Sequence, residues 1–250
     1  MSGHSKWSTI KRKKEVKDIK RGSLFTKLGN AIALAAKEGG GDPDSNFKLR
    51  LAIEKAQASN MPKEKIKTAV ERSAGLKNQG SDLAEIVYEG YGPYGIAVLV
   101  DVTTDNRQKT ASEMKFIFDR GGGTLSGSGS VSYLFKKRGV VTVKTEGKTE
   151  DALLTAAVTA GAEDIEYDEE ETLIYTNPKD LMKVEESLKA QGLQIIEAEL
   201  SYQPTTYVQI IDQEAASKVL SFMEKLEESD EVQKVHANFD IPKELLPETE

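Results

Sequence analysis

The chain has 250 residues, with 34 Lys and Arg against 41 Asp and Glu, so its formal net charge is −7. It contains no cysteine and two histidines, His4 and His236, which excludes disulfides, thiolate metal sites, cysteine nucleophiles and multi-histidine metal centres. No apolar run reaches the roughly 18 residues of a membrane span, and no secretory signal pattern opens the chain, so a cytoplasmic protein is expected.

The first block of the chain, residues 1–78, is predicted to be a small helical bundle with a basic tail. Apolar residues recur at helical spacing after Ser23, and Gly39-Gly40-Gly41 ends that helix. The turn Asp42-Pro43-Asp44-Ser45 can cap a second helix. Pro62 suits the first turn of a third helix, where its missing N–H is harmless.

The second block is predicted to hold two strands and a helix. Residues 84–91 and 95–104 have strand character, and Ile96–Val100 is apolar on both faces, as a buried central strand should be. A helix follows at about 106–119, and Gly121-Gly122-Gly123 ends it.

The third block has the element order βαββαβ. A strand at 140–144 precedes a helix capped by Thr149, and two short strands flank the acidic turn 168–171. Asn177-Pro178 indicates the start of another helix, and residues 196–202 alternate between apolar and polar, as in a half-buried strand. This order is that of the ferredoxin-like split βαβ fold.

The chain after Pro204 is predicted to form a strand, a helix capped by Asp212 and a strand over 232–239. This tail cannot bury its apolar face alone, and the second block also lacks partners, so we expect the two to join. The predicted fold class is therefore α+β. A helical N-terminal domain is followed by two α+β domains, and the third domain of the chain is inserted into the second. The predicted domains are a helical domain with a basic arm at 1–78, a discontinuous α+β domain at 79–135 plus 205–240, and an inserted ferredoxin-like domain at 136–204.

Charge is distributed unevenly along the chain. Residues 1–80 hold 18 Lys and Arg against 8 Asp and Glu, a net charge of +10, whereas residues 81–250 carry −17. Such asymmetry is typical of a polyanion-binding segment, although a solvated tail without a partner is the alternative. If six to eight phosphates of a duplex are engaged, the salt slope would be roughly −5 to −7. The candidate nucleic-acid-binding residues of this arm are His4, Lys6, Trp7, Lys11, Arg12, Lys13, Lys14, Lys17, Lys20 and Arg21.

The segment from Thr104 to Thr110 contains two further candidate cations. Helix capping explains Thr104 and Asp105, but it does not explain Arg107 and Lys109, which the helical period leaves exposed. Contact with nucleic acid and an ordinary solvated first turn are both compatible with this pattern.

The glycine-rich segment 121–130 lacks the Gly-Lys-Ser/Thr ending of a P-loop and follows a helix rather than a strand. A mobile loop is the favoured interpretation, and its amides could contact a backbone phosphate. The candidate loop contacts are Gly121, Gly122, Gly123 and Ser130.

Other polar features do not indicate catalysis or metal binding. The acidic run Glu163–Glu171 has alternate carboxylates, but Glu169 stands where a calcium loop requires glycine, so a solvated hairpin face is expected. His236 lies in a predicted strand and is expected to be structural. No Gly-x-Ser-x-Gly elbow, metalloprotease motif or kinase motif is present, and a hydrolase that uses Asp or Glu is the alternative that the many carboxylates leave open. We therefore expect a protein that is not an enzyme and has no cofactor, no metal and no small-molecule substrate.

Five short motifs occur in order along the chain: Gly3-His4-Ser5-Lys6-Trp7, Gly39-Gly40-Gly41-Asp42-Pro43, Tyr88-Glu89-Gly90-Tyr91-Gly92-Pro93, Thr104-Asp105-Asn106-Arg107 and Gly129-Ser130-Val131. In combination they resemble the YebC/PmpR family, whose mitochondrial branch is called TACO. The resemblance implies a helical N-terminal domain and two α+β domains, the third inserted into the second. Because the chain opens directly at Met1-Ser2-Gly3-His4, a bacterial-type cytoplasmic member is expected.

The resemblance implies two kinds of function. Family members are labelled probable transcriptional regulators, and some bind promoter DNA. Mitochondrial relatives are translational activators, and bacterial relatives are linked to ribosomes stalled at proline runs. One departure is visible: where the family often has Asn-Arg-Asn-Arg-Thr, this chain has Asn106-Arg107-Gln108-Lys109-Thr110, so a bidentate role for the second arginine is in doubt.

The sequence favours a ribosome-associated translational activator that binds ribosomal or transfer RNA through the arm. A DNA-binding transcriptional regulator is the alternative. An arm of flexible cations provides affinity but little sequence readout, and the acidic remainder of the chain would be repelled from duplex DNA.

Overall fold

The computed structural model describes residues 21–73 and 83–246. The predicted arm contacts from His4 to Lys20 therefore lie outside the described residues. Three helices open the described part of the chain. They are α1 (Arg21–Gly39), α2 (Phe47–Ala58) and α3 (Lys63–Ser73).

The three helices enclose a common apolar core. Leu28 and Ile32 of α1 pack with Leu49 of α2 and Ile66 of α3, and all four side chains are buried. Asn46 joins α1 to α2, because its side-chain amide donates to the Ala35 carbonyl oxygen at 2.8 Å while its oxygen accepts from the Leu49 N–H at 3.1 Å. The cap of α2 is thus Asn46, the residue after the predicted turn.

Ten strands and four further helices follow. In chain order they are β1 (Ala84–Tyr91), β2 (Ala97–Thr104), α4 (Arg107–Arg120), β3 (Thr124–Ser126), β4 (Phe135–Lys144), α5 (Glu150–Ala160), β5 (Asp164–Glu166), β6 (Glu171–Thr176), α6 (Leu181–Ala190), β7 (Ile195–Pro204), β8 (Val208–Gln209), α7 (Gln213–Glu227), β9 (Val232–Ala237) and β10 (Phe239–Asp240).

The strands form two four-stranded sheets and one short parallel pair. The first sheet has the order β3-β1-β2-β9 and the second has the order β5-β6-β4-β7, with antiparallel neighbours in both. Strands β8 and β10 form the parallel pair. The mixed α+β class is confirmed, and the third block has the predicted element order. The division into three domains with the stated boundaries stays a prediction.

Helices α4 and α7 cover one face of the first sheet. Val98 and Val100 of β2 pack against Phe118 of α4 and Phe222 of α7, whose rings meet edge to face at 5.2 Å. The opposite face of β2 is buried as well, by a small cluster that includes Leu99. The prediction of a strand buried on both faces is confirmed.

Several predicted boundaries are wrong. Helix α6 begins at Leu181, because Asn177 accepts from the Lys179 N–H and forms a turn instead of a cap. Strand β4 begins at Phe135 rather than Val140, since its first five residues pair with β7. Of the strand predicted between Pro204 and Asp212, only Val208–Gln209 is strand.

Candidate nucleic-acid interface

The N-terminal end of α1 is fixed to the C-terminal end of α7 and the turn that follows it. The hydroxyl of Ser23 donates to the carboxylate of Asp230, and the ammonium of Lys27 donates to the Glu227 carbonyl oxygen. The described part of the chain thus begins beside Asp230.

The N-terminus of α4 lies next to this point of attachment. Glu231, the neighbour of Asp230, accepts from the Thr110 hydroxyl, and its other oxygen lies 3.1 Å from the Lys109 ammonium. A hydrogen bond and an ion pair with Glu231 raise the pKa of Lys109. One edge of the molecule therefore carries both the start of the basic arm and the first turn of α4.

The two cations predicted on α4 differ in their surroundings. Both are exposed, as predicted. Lys109 is partly neutralised by Glu231, whereas no carboxylate of the described residues lies within ion-pair distance of Arg107. Arg107 is consequently the cation of this turn with its charge available to a phosphate.

The predicted capping of α4 by Thr104 and Asp105 is wrong. The cap is Asn106, whose side-chain oxygen accepts from the Lys109 N–H at 3.1 Å. Thr104 instead accepts from the Asn106 N–H at 2.9 Å, and its hydroxyl oxygen lies 2.9 Å from that of Thr110. This network fixes the direction of the first turn and with it the position of Arg107.

The glycine-rich segment is more ordered than a mobile loop, so that interpretation is wrong for part of it. Residues Thr124–Ser126 form β3 and pair with β1. Gly121 ends α4, and its N–H donates to the Ile117 carbonyl oxygen at 2.9 Å. A Cβ at Gly123 would overlap the Tyr91 carbonyl oxygen, so glycine is required there by close backbone packing.

The amides at the end of this segment are already occupied. Glu89 of β1 is 5% exposed, and its carboxylate accepts from the N–H groups of Gly129 at 2.8 Å and of Val131 and Ser132 at 2.9 Å. Burial acts to raise the pKa of Glu89, but these hydrogen bonds outweigh it and lower the pKa. Glu89 therefore occupies the amides of Gly129, Val131 and Ser132. Contact of a phosphate with the candidates Gly121, Gly122, Gly123 and Ser130 stays a prediction.

The remaining predicted loop residues also face inward or lie far from the basic edge. The hydroxyl oxygen of Ser130 is buried, and its carbonyl oxygen accepts from the Tyr91 hydroxyl at 3.1 Å. Gly121–Gly123 stand at the opposite end of α4 from Arg107, about 20 Å away at 1.5 Å per helical residue. Arg107 and the glycine segment therefore belong to two separate surfaces.

A partly exposed polar cluster at the junction of α2, β7 and β9 was not predicted. Lys55 lies 2.7 Å from a Glu197 oxygen and 3.7 Å from Glu199, and Lys234 also contacts Glu199. Burial acts to raise the pKa of Glu199, but Lys234 and Lys55 hold it well below its usual range. The alternation of charged and apolar residues in β7 indicates a polar face, but it does not indicate which cations cover it.

His236 lies in β9, as predicted, and is fully buried. Its Nε2 is 3.0 Å from an Asp101 oxygen, and its ring meets that of Tyr202 edge to face at 5.1 Å. Burial lowers the pKa of His236 despite the neighbouring Asp101 carboxylate. This histidine is therefore neutral near pH 7 and belongs to the packing between the two sheets.

The described residues do not include a metal-binding cluster or a membrane-spanning helix, and one surface cavity is acidic. Among residues 21–73 and 83–246, no group of three or more His, Asp or Glu side chains could hold a metal ion. Within the same ranges, no helix has the length and apolar character needed to cross a membrane. A surface cavity of about 350 Å³ is lined by the carboxylates Asp164, Glu166 and Asp240, which would repel phosphate.

Comparison with known proteins identifies the family to which the chain belongs. Residues 5–76 match the TACO1/YebC protein N-terminal domain, and residues 83–239 match the TACO1/YebC second and third domain. A probable transcriptional regulatory protein of Rubrobacter xylanophilus is 48% identical over 248 residues, with 99% of both chains covered. A protein of Fusobacterium nucleatum with the same description is 48% identical over 246 residues, with 98% of both chains covered.

A solved structure is also similar. The crystal structure of a conserved hypothetical protein from Aquifex aeolicus superposes with a TM-score of 0.85 at 44% identity, covering 92% of this chain and 95% of the other. The family resemblance that the five motifs predicted is thereby confirmed. The chain belongs to the TACO1/YebC family.

Proposed function

We propose that this protein is a non-enzymatic, RNA-binding translational activator that associates with the ribosome and helps to relieve stalling, including stalling at proline runs. The observation that carries the proposal is the place where the described fold begins. Helix α1 starts beside Asp230, next to the first turn of α4 where Arg107 is exposed. The end of the fold that follows the arm in sequence and this exposed cation thus share one edge.

The charge distribution supports an oriented contact with a large polyanion. Residues 1–80 carry +10 and residues 81–250 carry −17. A phosphate-rich surface would attract the basic edge and repel the rest of the molecule. Ribosomal RNA offers such a surface, and binding to it does not require base-specific readout.

Relief of stalling in this proposal depends on geometry and not on a catalytic group. Peptide bond formation at proline runs is slow because the reactants are poorly oriented. A factor that fixes the orientation of the reacting groups can restore the rate through proximity alone. The RNA-bound basic edge would serve as the fixed end, from which the two sheets reach toward the substrate.

A DNA-binding transcriptional regulator is the second candidate, and the descriptions of the relatives in Rubrobacter xylanophilus and Fusobacterium nucleatum favour it. Phosphate contacts from an arm would give weak, salt-sensitive binding to any duplex. Specific regulation would also require side chains that reach base edges in a groove. The two candidates therefore differ in whether one DNA sequence is preferred over others.

Co-sedimentation with ribosomes at near-physiological salt, with excess duplex DNA as competitor, tests the proposal. We expect the protein to pellet with ribosomes despite the DNA and a reporter with a proline run to show increased readthrough. If duplex DNA removes the protein and one promoter competes far better than random sequence, the regulator is the correct function and the proposal is wrong.

A charge-matched pair of variants identifies the contact. Reversal of Lys11, Arg12, Lys13 and Lys14 to Glu should abolish ribosome binding. The control reverses four exposed cations elsewhere in the chain, Lys144, Lys179, Lys183 and Lys218, and should leave binding nearly unchanged. Equal losses in both variants would mean that net charge, and not the arm, determines binding.

A further inference from the structure

We infer that Tyr133 and Tyr91 form a stacking surface for unpaired bases of single-stranded RNA, separate from the basic arm. The RNA partner rests on the proposed function, whereas the surface is argued from its own contacts. Tyr133 is 70% exposed, more than any other aromatic side chain in the described ranges, and Tyr91 is 36% exposed. Partial burial together with the nearby Tyr133 raises the pKa of Tyr91.

The backbone around Tyr133 is held on both sides. Before it, the N–H groups of Val131 and Ser132 donate to Glu89 at 2.9 Å. After it, the Leu134 carbonyl oxygen accepts from the Thr205 N–H at 2.8 Å and from the Thr205 hydroxyl at 3.0 Å. An aromatic ring exposed on a fixed backbone loses little conformational entropy on binding, so this arrangement suits recognition.

Tyr91 is fixed to the same support. Its hydroxyl donates to the Ser130 carbonyl oxygen at 3.1 Å, and its strand is paired with β3 at Thr124. The two rings therefore share a base made of β1 and the turn 129–134. Isolated exposed aromatic side chains are common on protein surfaces. Two exposed rings on a common fixed base are a rarer arrangement and indicate a binding surface.

Two cations follow Tyr133 in the chain, at the start of β4, and point to opposite faces of that strand. Lys136 and Lys137 are exposed, and within the described part of the chain no carboxylate lies within ion-pair distance of either. The Lys137 ammonium stands 5.8 Å above the ring of Tyr202. Aromatic rings for bases next to cations for the backbone are the combination that binds single-stranded nucleic acid.

The chemistry favours unpaired bases over a duplex. Stacking requires an exposed base face, which a duplex provides only at its ends, and two free cations give little affinity for a duplex by charge alone. The tyrosine surface lies toward the opposite end of α4 from Arg107, roughly one helix length of about 20 Å away. The protein would thus touch RNA at two distinct places.

The test uses the full chain and a single-stranded RNA of about ten nucleotides, a length within the usual site sizes. The RNA carries 2-aminopurine, a base analogue whose fluorescence is quenched by stacking. We expect the wild type to quench it, Tyr133→Phe to retain the quenching, and Tyr133→Ala to lose it with roughly 5- to 150-fold weaker binding. Phe116→Ala, which removes a ring that is 59% exposed on α4, is the matched control and should behave as the wild type.

Each outcome distinguishes the surface from the proposed function. Absence of quenching by the wild type, unchanged quenching in Tyr133→Ala, or an equal loss in Phe116→Ala would overturn the tyrosine surface. If one of these results is found and the arm reversal still abolishes ribosome co-sedimentation, the proposed function stands without the tyrosine surface. If Tyr133-dependent quenching is found but the wild type does not pellet with ribosomes, the surface stands and the proposed function is wrong.

Discussion

The ammonium of Lys55 in α2 lies 2.7 Å from a carboxylate oxygen of Glu197 in β7. This pair joins the three-helix segment to the second sheet. Glu199, two residues along the same strand, contacts both Lys55 and Lys234 of β9, so the cluster also reaches the first sheet. The relative placement of helices and sheets is therefore set in part by a few charges.

Replacement of Lys55 by Met should destabilise the protein by about 0.5–1 kcal/mol, because Lys55 is half exposed and its pairs are screened by solvent. Urea unfolding at low and high salt would measure this, and the difference should shrink in high salt. The exposed pair Lys218–Glu214 gives the control, Lys218→Met, for which we expect a smaller change.

His236 should make stability fall as the pH is lowered from about 7 to 5.5. Its pKa in the folded state is lowered from 6.5 by burial, so the unfolded chain binds the proton more readily. The contribution of neutral His236 to the free energy of unfolding is complete above pH 6.5 and is lost as the pH falls below that value. Unfolding free energies of the wild type and His236→Gln across this window would show it, with a flatter curve in the variant. Parallel curves would contradict the prediction.

Glu89→Gln should loosen the turn that carries Tyr133. A glutamine side chain keeps one acceptor oxygen in place of two, so at least one of the N–H groups of Gly129, Val131 and Ser132 loses its partner. We expect a loss of about 1–3 kcal/mol and faster hydrogen exchange at these three amides. Exchange at the amides of β6, in the other sheet, should not change and serves as the internal control.

Two glycines of the same segment should respond differently to alanine. At Gly123 a Cβ would overlap the Tyr91 carbonyl oxygen, whereas at Gly127 it would meet no atom within 4 Å. Gly123→Ala should cost about 1–3 kcal/mol through steric overlap, and Gly127→Ala should be neutral or slightly stabilising. Thermal unfolding of both variants would decide this, and equal melting temperatures would contradict it.

Local sequence patterns predicted the elements whose signal is contained in a short window. The apolar run of β2 and the Asp212 cap of α7 are examples, since Asp212 does accept from the Ala215 N–H at 2.8 Å. Strand β3 has three residues beside glycines and forms only through pairing with β1. The start of β4 contains three consecutive cations and no apolar alternation, so its pairing with β7 left no local signal.

The candidate site also depends on contacts between residues that are distant in sequence. The exposure of Arg107 and Lys109 follows from helical periodicity and was predicted. The neutralisation of Lys109 depends on Glu231, which is 122 residues away, and the occupation of the loop amides depends on Glu89, about 40 residues away. Such partners are chosen by tertiary packing, which a single sequence does not reveal.

The strand order of the first sheet has a consequence for the nascent chain. Strand β9 completes the sheet beside β2, yet it is synthesised only after every strand of the second sheet. Domains tend to fold as their residues emerge, so the edge of β2 stays open until the last part of translation. A premature stop before Val232 would leave that apolar edge uncovered, and truncated products should aggregate through it.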